Sequence, residues 1–250
     1  MICGHGSREE KALEEFENLV KKIKARLEGI PVEFGYLEFA RPIIRESLDR
    51  LMQLGVDEVI AIPAMLFAAG HAKNDIPSLL NAYASETGLK IKYGRELGIN
   101  SLMIGAAGGR IKEIINLSPS YPISETLLVV VGRGSSDPDA NSNVYKITRM
   151  LVEGLGLGWG ETCFSGVTFP MVEPGLRMAL KLGYKRIVVF PYFLFSGVLI
   201  NRIRSHTEKV SRENPNVEII SAGYLSDHPL VEETFIERIN DVFQGVNAMN

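Results

Sequence analysis

The chain has 250 residues, 46% of them hydrophobic and 23% charged, with a net charge of −3. That is the composition of an ordinary globular protein, one large or two small domains long, and its slight acidity supplies no field for nucleic acid or an anionic membrane. Cys3 and Cys163, far apart and without metal-ligand spacing, fit a reducing compartment rather than a disulfide framework. No apolar stretch nears the roughly 18 residues of a membrane span. No leader is read ahead of the opening Gly-rich turn, so the cytoplasm is the expected location.

Residues 1–3 are the stub of a strand, followed by the turn Gly4-His5-Gly6-Ser7-Arg8. A helix is expected over 9–27, where Leu13, Phe16, Leu19, Val20, Ile23 and Leu27 recur at helical spacing. The strand 32–37 runs into Glu38-Phe39-Ala40-Arg41-Pro42, which opens a helix stopped by Gly55. The apolar run 59–62, bounded by Pro63, reads as a strand buried on both faces. A small-residue loop, Ala68-Ala69-Gly70, then delivers His71 beside Lys73, Asn74 and Asp75. Asp75-Ile76-Pro77 is expected to open the next helix, where a carboxylate and a proline are both favourable. A strand over 89–93 and a helix over 99–115 follow. The polar, Pro- and Ser-rich stretch 116–125 then divides the chain into two units, 1–116 and 126–245.

The second unit repeats the first. Adding 128 carries Gly4, Gly6 and Ser7 onto Gly132, Gly134 and Ser135, Pro42 onto Pro170, Leu54-Gly55 onto Leu182-Gly183, and Pro63 onto Pro191. One frame holding over some 90 residues implies a duplicated β-α-β-α-β-α-β-α unit. The expected fold is therefore α/β, with two tandem parallel-sheet units of the flavodoxin or Rossmann kind. In that frame Met1 stands where Val129 does. The first strand is thus short of its opening residues, which a trimmed chain or a downstream start would explain.

His5, Glu38 and His71 each fall just past an expected strand end, where open α/β sheets place ligands. Two imidazoles and a carboxylate suit Co2+, Ni2+, Fe2+ or Zn2+, and near neutral pH the same groups accept protons. In the second unit these positions become Arg133, Gly166 and Leu199: scaffold positions persist and the chemical ones do not. His206, on a helix, and His228, at a helix start, are expected to be ordinary. The glycine-rich stretch 154–160 lies between a helix and a strand, the reverse of a dinucleotide fingerprint. Phosphoryl transfer through His5 is disfavoured, because the arginine such sites carry before the histidine is here Gly4.

Three stretches closely resemble the sirohydrochlorin chelatases of the CbiX type, within the class II chelatases. They are Gly4-His5-Gly6-Ser7-Arg8, Leu37-Glu38-Phe39-Ala40-Arg41-Pro42, and the motif running from Phe67 through His71 to Pro77. The second half, with Gly132-Arg133-Gly134-Ser135-Ser136-Asp137, looks like the degenerate half of the long form. The resemblance implies a monomeric pseudo-dimer with a cleft between its units. It implies ATP-independent insertion of a divalent metal, Co2+ before Fe2+ or Ni2+, into sirohydrochlorin or its oxidised relative on the route to cobalamin. It also implies that His5, Glu38 and His71 hold the metal and take the pyrrole protons, with no tightly bound cofactor. For the substrate's carboxylates the expected cations are Arg8, Arg41, Lys73, Arg133 and Arg202. A sirohaem-route ferrochelatase and a non-catalytic metal-binding protein are the alternatives. The Cys- or His-rich tail of some long members is not expected here, since the chain ends at Asn250, and no iron–sulfur cluster is assigned.

Overall fold

A computed structural model describes residues 1–245; the chain's end at Asn250 lies outside them. The first repeat contains β1 (Ile2–Gly4), α1 (Glu10–Arg26), β2 (Phe34–Tyr36), α2 (Ile44–Gln53), β3 (Glu58–Pro63), α3 (Ile76–Thr87), β4 (Lys90–Tyr93) and α4 (Ser101–Leu117). The second contains β5 (Thr126–Gly132), α5 (Pro138–Leu155), β6 (Trp159–Phe164), α6 (Val172–Leu180), β7 (Arg186–Pro191), α7 (Val198–Glu213), β8 (Glu218–Ser221) and α8 (Pro229–Phe243). The strands form two four-stranded sheets, ordered β2-β1-β3-β4 and β6-β5-β7-β8, with every pairing parallel. Right-handed crossovers through helices are the ordinary way to join such strands, and the expected duplicated α/β fold is observed.

The frame of 128 extends to backbone detail. Phe39 and Val167 both hold a φ of +66°, and cis peptide bonds precede both Pro42 and Pro170. Ile2 pairs with Ile62, and Val130 with Phe190, the same register in each sheet. Each sheet has its own core. In the first, Cys3, Ile44, Leu48, Val59, Ala61, Ile76 and Leu80 pack together. In the second, Leu127, Val129, Val131, Val172, Leu176, Ile187 and Val189 do the same.

The compact units do not follow the sequence boundary at 116–126. One comprises Met1–Asn100 with the segment from Asp227 onward, and the other Ser101–Ser226. Each repeat's last helix belongs to the unit of the other repeat: α4 packs with α5 and β7, and α8 with α1 and β3. A pair of equivalent arginines marks the exchange. Arg238 on α8 is almost wholly buried and donates from Nε to Glu96 O (3.0 Å) and from Nη2 to Leu97 O (2.8 Å). Arg110 on α4 donates to Leu225 O at 3.3 Å, the carbonyl equivalent to that of Leu97. An apolar helix face satisfies its burial on any complementary sheet, so helical periodicity does not encode which of two similar sheets it covers. Among the described residues no helix is long and apolar enough to cross a membrane.

Candidate metal centre

Three parallel strands bring three distant positions to one end of the first sheet. β1 ends at Gly4 and hands on His5. The β1–β2 ladder continues past the strands, with Leu37 N donating to Gly4 O (2.9 Å) and Glu38 N to His5 O (3.0 Å). That registers Glu38 directly beside His5. Gly6 makes the approach possible. Its φ is +94°, and a Cβ built on it would lie 1.8 Å from Glu38 O. No residue with a side chain fits.

His71 is not on a loop, as its surroundings suggested. It is the first residue of a π-helical turn, His71–Asp75, that leads into α3. The Ile76 amide donates to His71 O, the Lys73 amide to Ala69 O at 2.8 Å, and the Tyr93 hydroxyl at the end of β4 to Ala72 O at 3.0 Å. Ile76 and Leu80 are buried below and fix the turn to the sheet. The equivalent stretch of the second repeat is regular helix, α7. Insertions of this kind in helices recur at functional sites.

The result is a cluster in which one donor atom each from His5, Glu38 and His71 lies within 4.8 Å of the others. His5 Nε2 is 3.3 Å from Glu38 Oε1. The two imidazoles meet edge to face, with centroids 4.7 Å apart. All three side chains are partly exposed, by 25%, 41% and 40% respectively. His71 Nδ1 donates to Asp75 Oδ2 at 2.6 Å, and His5 Nδ1 to Gly6 O at 3.2 Å. A ring that donates from Nδ1 keeps its lone pair on Nε2. His5 Nε2 and the Glu38 carboxylate face each other at 3.3 Å, so a metal ion held by both, or a proton on Nε2, bridges them.

In the sequence Asp75 is marked only as a helix-opening carboxylate. Its side chain makes no cap hydrogen bond and is used on His71 instead. The signal was available: histidine and aspartate four residues apart share one helical face. Phe39 is a further neighbour of the site that no sequence signal marks. Its half-exposed ring stacks on His5 at 5.9 Å, and the Arg8 guanidinium carbon lies 5.0 Å from its centroid. Cys3 contributes no ligand, since it is fully buried in β1 and burial pushes its thiol up to about 12.

The remaining expected cations are spread over both units. Arg8 and Lys73 are exposed in the first. Arg41 is ion-paired with Glu46, whose other oxygen accepts from Ile43 N at 3.0 Å. Arg133 and Arg202 are exposed in the second, and among the described residues neither shows an ion pair. The two other histidines are structural, as expected. His206 Nδ1 lies 3.3 Å from Glu173, and His228 caps α8 by accepting from Leu230 N at 3.2 Å.

The model of the CbiX family matches residues 1–114 and 127–242. A sirohydrochlorin cobaltochelatase of Priestia megaterium is 36% identical over 252 residues, covering 100% of this chain and 81% of the relative. A sirohydrochlorin ferrochelatase of Bacillus subtilis is 32% identical, over 96% of this chain and 90% of that one. The solved structure of SirB from Bacillus subtilis with Fe3+ superposes with a TM-score of 0.83 at 30% identity, covering 96% of this chain and 93% of SirB.

Proposed function

The chain belongs to the CbiX family, and we propose that it takes a divalent cation onto His5, Glu38 and His71 and delivers it to sirohydrochlorin, with Co2+ as the ion it serves. It is a metal chelatase, and insertion into sirohydrochlorin is its reaction. The observation that carries the site assignment is the convergence of three donor atoms within 4.8 Å.

The chemistry suits those groups. Insertion exchanges one dication for two pyrrole N–H protons. The site must therefore surrender a metal and accept protons at one place. Neutral imidazole and carboxylate do both. Two nitrogens and one oxygen on partly exposed side chains also leave the ion open to an approaching macrocycle, where a closed thiolate cage would retain it. The Nδ1 hydrogen bonds to Asp75 and Gly6 keep each Nε2 as the donor atom. Once the ion passes to the macrocycle, the vacated lone pairs receive its protons.

Sirohydrochlorin is a polycarboxylate. Arg8, Lys73, Arg133 and Arg202 are assigned to its carboxylates, and Arg133, at the position equivalent to His5, is the main anchor through bidentate hydrogen bonds. Arg41 is the weakest of the expected cations, because Glu46 already answers its charge.

The test mixes protein and sirohydrochlorin with Co2+, Fe2+ or Ni2+ in parallel, without ATP, and follows the absorbance of the metallated tetrapyrrole. Fastest turnover with Co2+ is expected. Fastest turnover with Fe2+ would favour the ferrochelatase reading that the 32% relative supports, and metal binding without turnover would leave a metal-binding protein.

A further inference from the structure

Phe39 stands in the turn that follows β2. The Tyr36 amide closes that turn on Pro42 O at 2.8 Å, and the Glu38 amide ties it to His5 O at 3.0 Å. At Phe39 the backbone takes a φ of +66°, a conformation in which a bulky residue is an outlier and glycine is at ease. The ring is 51% exposed, so burial offsets only part of the backbone strain. Fold stability gives no reason for an aromatic residue here.

The second repeat shows what the scaffold alone requires. Val167 holds the same φ at the equivalent position and is 74% exposed, and there Arg133 takes the place of His5. The turn is common to both repeats, whereas the ring occurs where there is an imidazole to meet it.

The Nδ1 hydrogen bond from His5 to Gly6 O, at 3.2 Å, selects the tautomer. One hydrogen bond fixes a point of the imidazole, not its plane. The Phe39 ring lies along the imidazole, 28° from parallel with centroids 5.9 Å apart, and the His71 ring meets it at 82°. Swinging the imidazole forfeits that stacked contact, and with it the direction in which Nε2 faces Glu38. The Arg8 guanidinium carbon, 5.0 Å from the Phe39 centroid, steadies the Phe39 ring in turn.

We infer that, with His5 a ligand as proposed above, Phe39 is a positioning residue for metal capture. Its ring sets the plane of the His5 imidazole so that Nε2 presents its lone pair to the ion.

The test titrates Co2+, followed by visible absorption, into the wild type and the Phe39→Leu, Phe39→Gly, Phe39→Tyr and His5→Ala variants, with a melting temperature for each. Phe39→Leu and Phe39→Gly remove the ring, and each should raise the Co2+ Kd about three- to tenfold. Phe39→Tyr keeps it and should bind as the wild type does. Stability should not follow affinity. Glycine relieves the strain at positive φ, so Phe39→Gly should melt within about 3 °C of the wild type or above it. Wild-type affinity in Phe39→Leu and Phe39→Gly, beside weakened binding in His5→Ala, would overturn the role of Phe39 alone. Unchanged affinity in His5→Ala would overturn the ligand assignment and the role of Phe39 with it. Affinity lost only in step with melting temperature, or lost equally in Phe39→Tyr, would also overturn the positioning role.

Discussion

Replacing Gly6 with alanine puts a methyl group where the Glu38 carbonyl already stands. The Cβ would lie 1.8 Å from that oxygen, about 1.5 Å inside an ordinary C···O contact. The obstacle is backbone, so no side-chain rotation relieves it. The β1 and β2 extensions must part, and the Glu38 carboxylate, 3.3 Å from His5 Nε2, moves with its peptide. Together with the positive φ, the clash costs roughly 2–6 kcal/mol of stability. A displacement above 1 Å at the reacting centre lowers a rate by about 100-fold. Gly134 supplies the control, because its Cβ would lie 1.9 Å from Gly166 O at nearly the same φ. Gly134→Ala should therefore lose similar stability. Co2+ titration by visible absorption, below both melting temperatures, separates the two. Gly6→Ala should lose Co2+ binding and insertion together, and Gly134→Ala should bind Co2+ normally. Equal Co2+ affinities for the two variants would refute the claim that the Gly6 contact assembles the metal centre.

Asp75→Ala frees the His71 ring to rotate and to change tautomer, so Co2+ affinity should fall about 10- to 100-fold, with Asp75→Asn in between; an unchanged Kd would remove Asp75 from the site. Arg133→Ala should raise the tetrapyrrole KM about tenfold while Co2+ affinity holds, and an unaltered KM would end its role as anchor. Glu173 is held down to about 2, first by its hydrogen bond with Arg177 and then by Lys209. A depressed carboxylate stabilises the fold above its unfolded value of about 4.3 and stops doing so as pH falls through its folded value. The destabilisation of Glu173→Gln seen at pH 7 in urea should therefore shrink between about pH 4 and 2; a gap that widens there would contradict the pairing.

Much of this protein is legible in its sequence because the deciding physics is local. Buried parallel strands read as short apolar runs, and residues at their carboxyl ends face the ligand side of the sheet. His5, Glu38 and His71 could be singled out on that ground. The frame of 128 then separated them from the scaffold, since turn glycines and prolines recur where backbone conformation restricts the choice of residue. Asp75 does stand at the start of α3, as expected, but its bond to His71 is made through a π-helical turn, which the composition around it does not distinguish from an ordinary helix start.

The duplicated α/β pattern, the strand ends and the residue types gathered there all follow from the order of residues along the chain. Tertiary structure alone decided which sheet each final helix covers. The amphipathic faces of α4 and α8 state that each must be buried but not against what. Equivalent arginines at 110 and 238 hinted at a shared task without naming their acceptors, the Leu225 and Leu97 carbonyls. Likewise, the spacing of His5, Glu38 and His71 along the chain says that three strand ends carry donors. Only the register of β1 against its neighbours, with glycine at position 6 allowing close approach, sets the 3.3 Å between His5 and Glu38. Periodicity is a property of neighbours in the chain, whereas register and burial are settled by surfaces that meet only after the chain has folded.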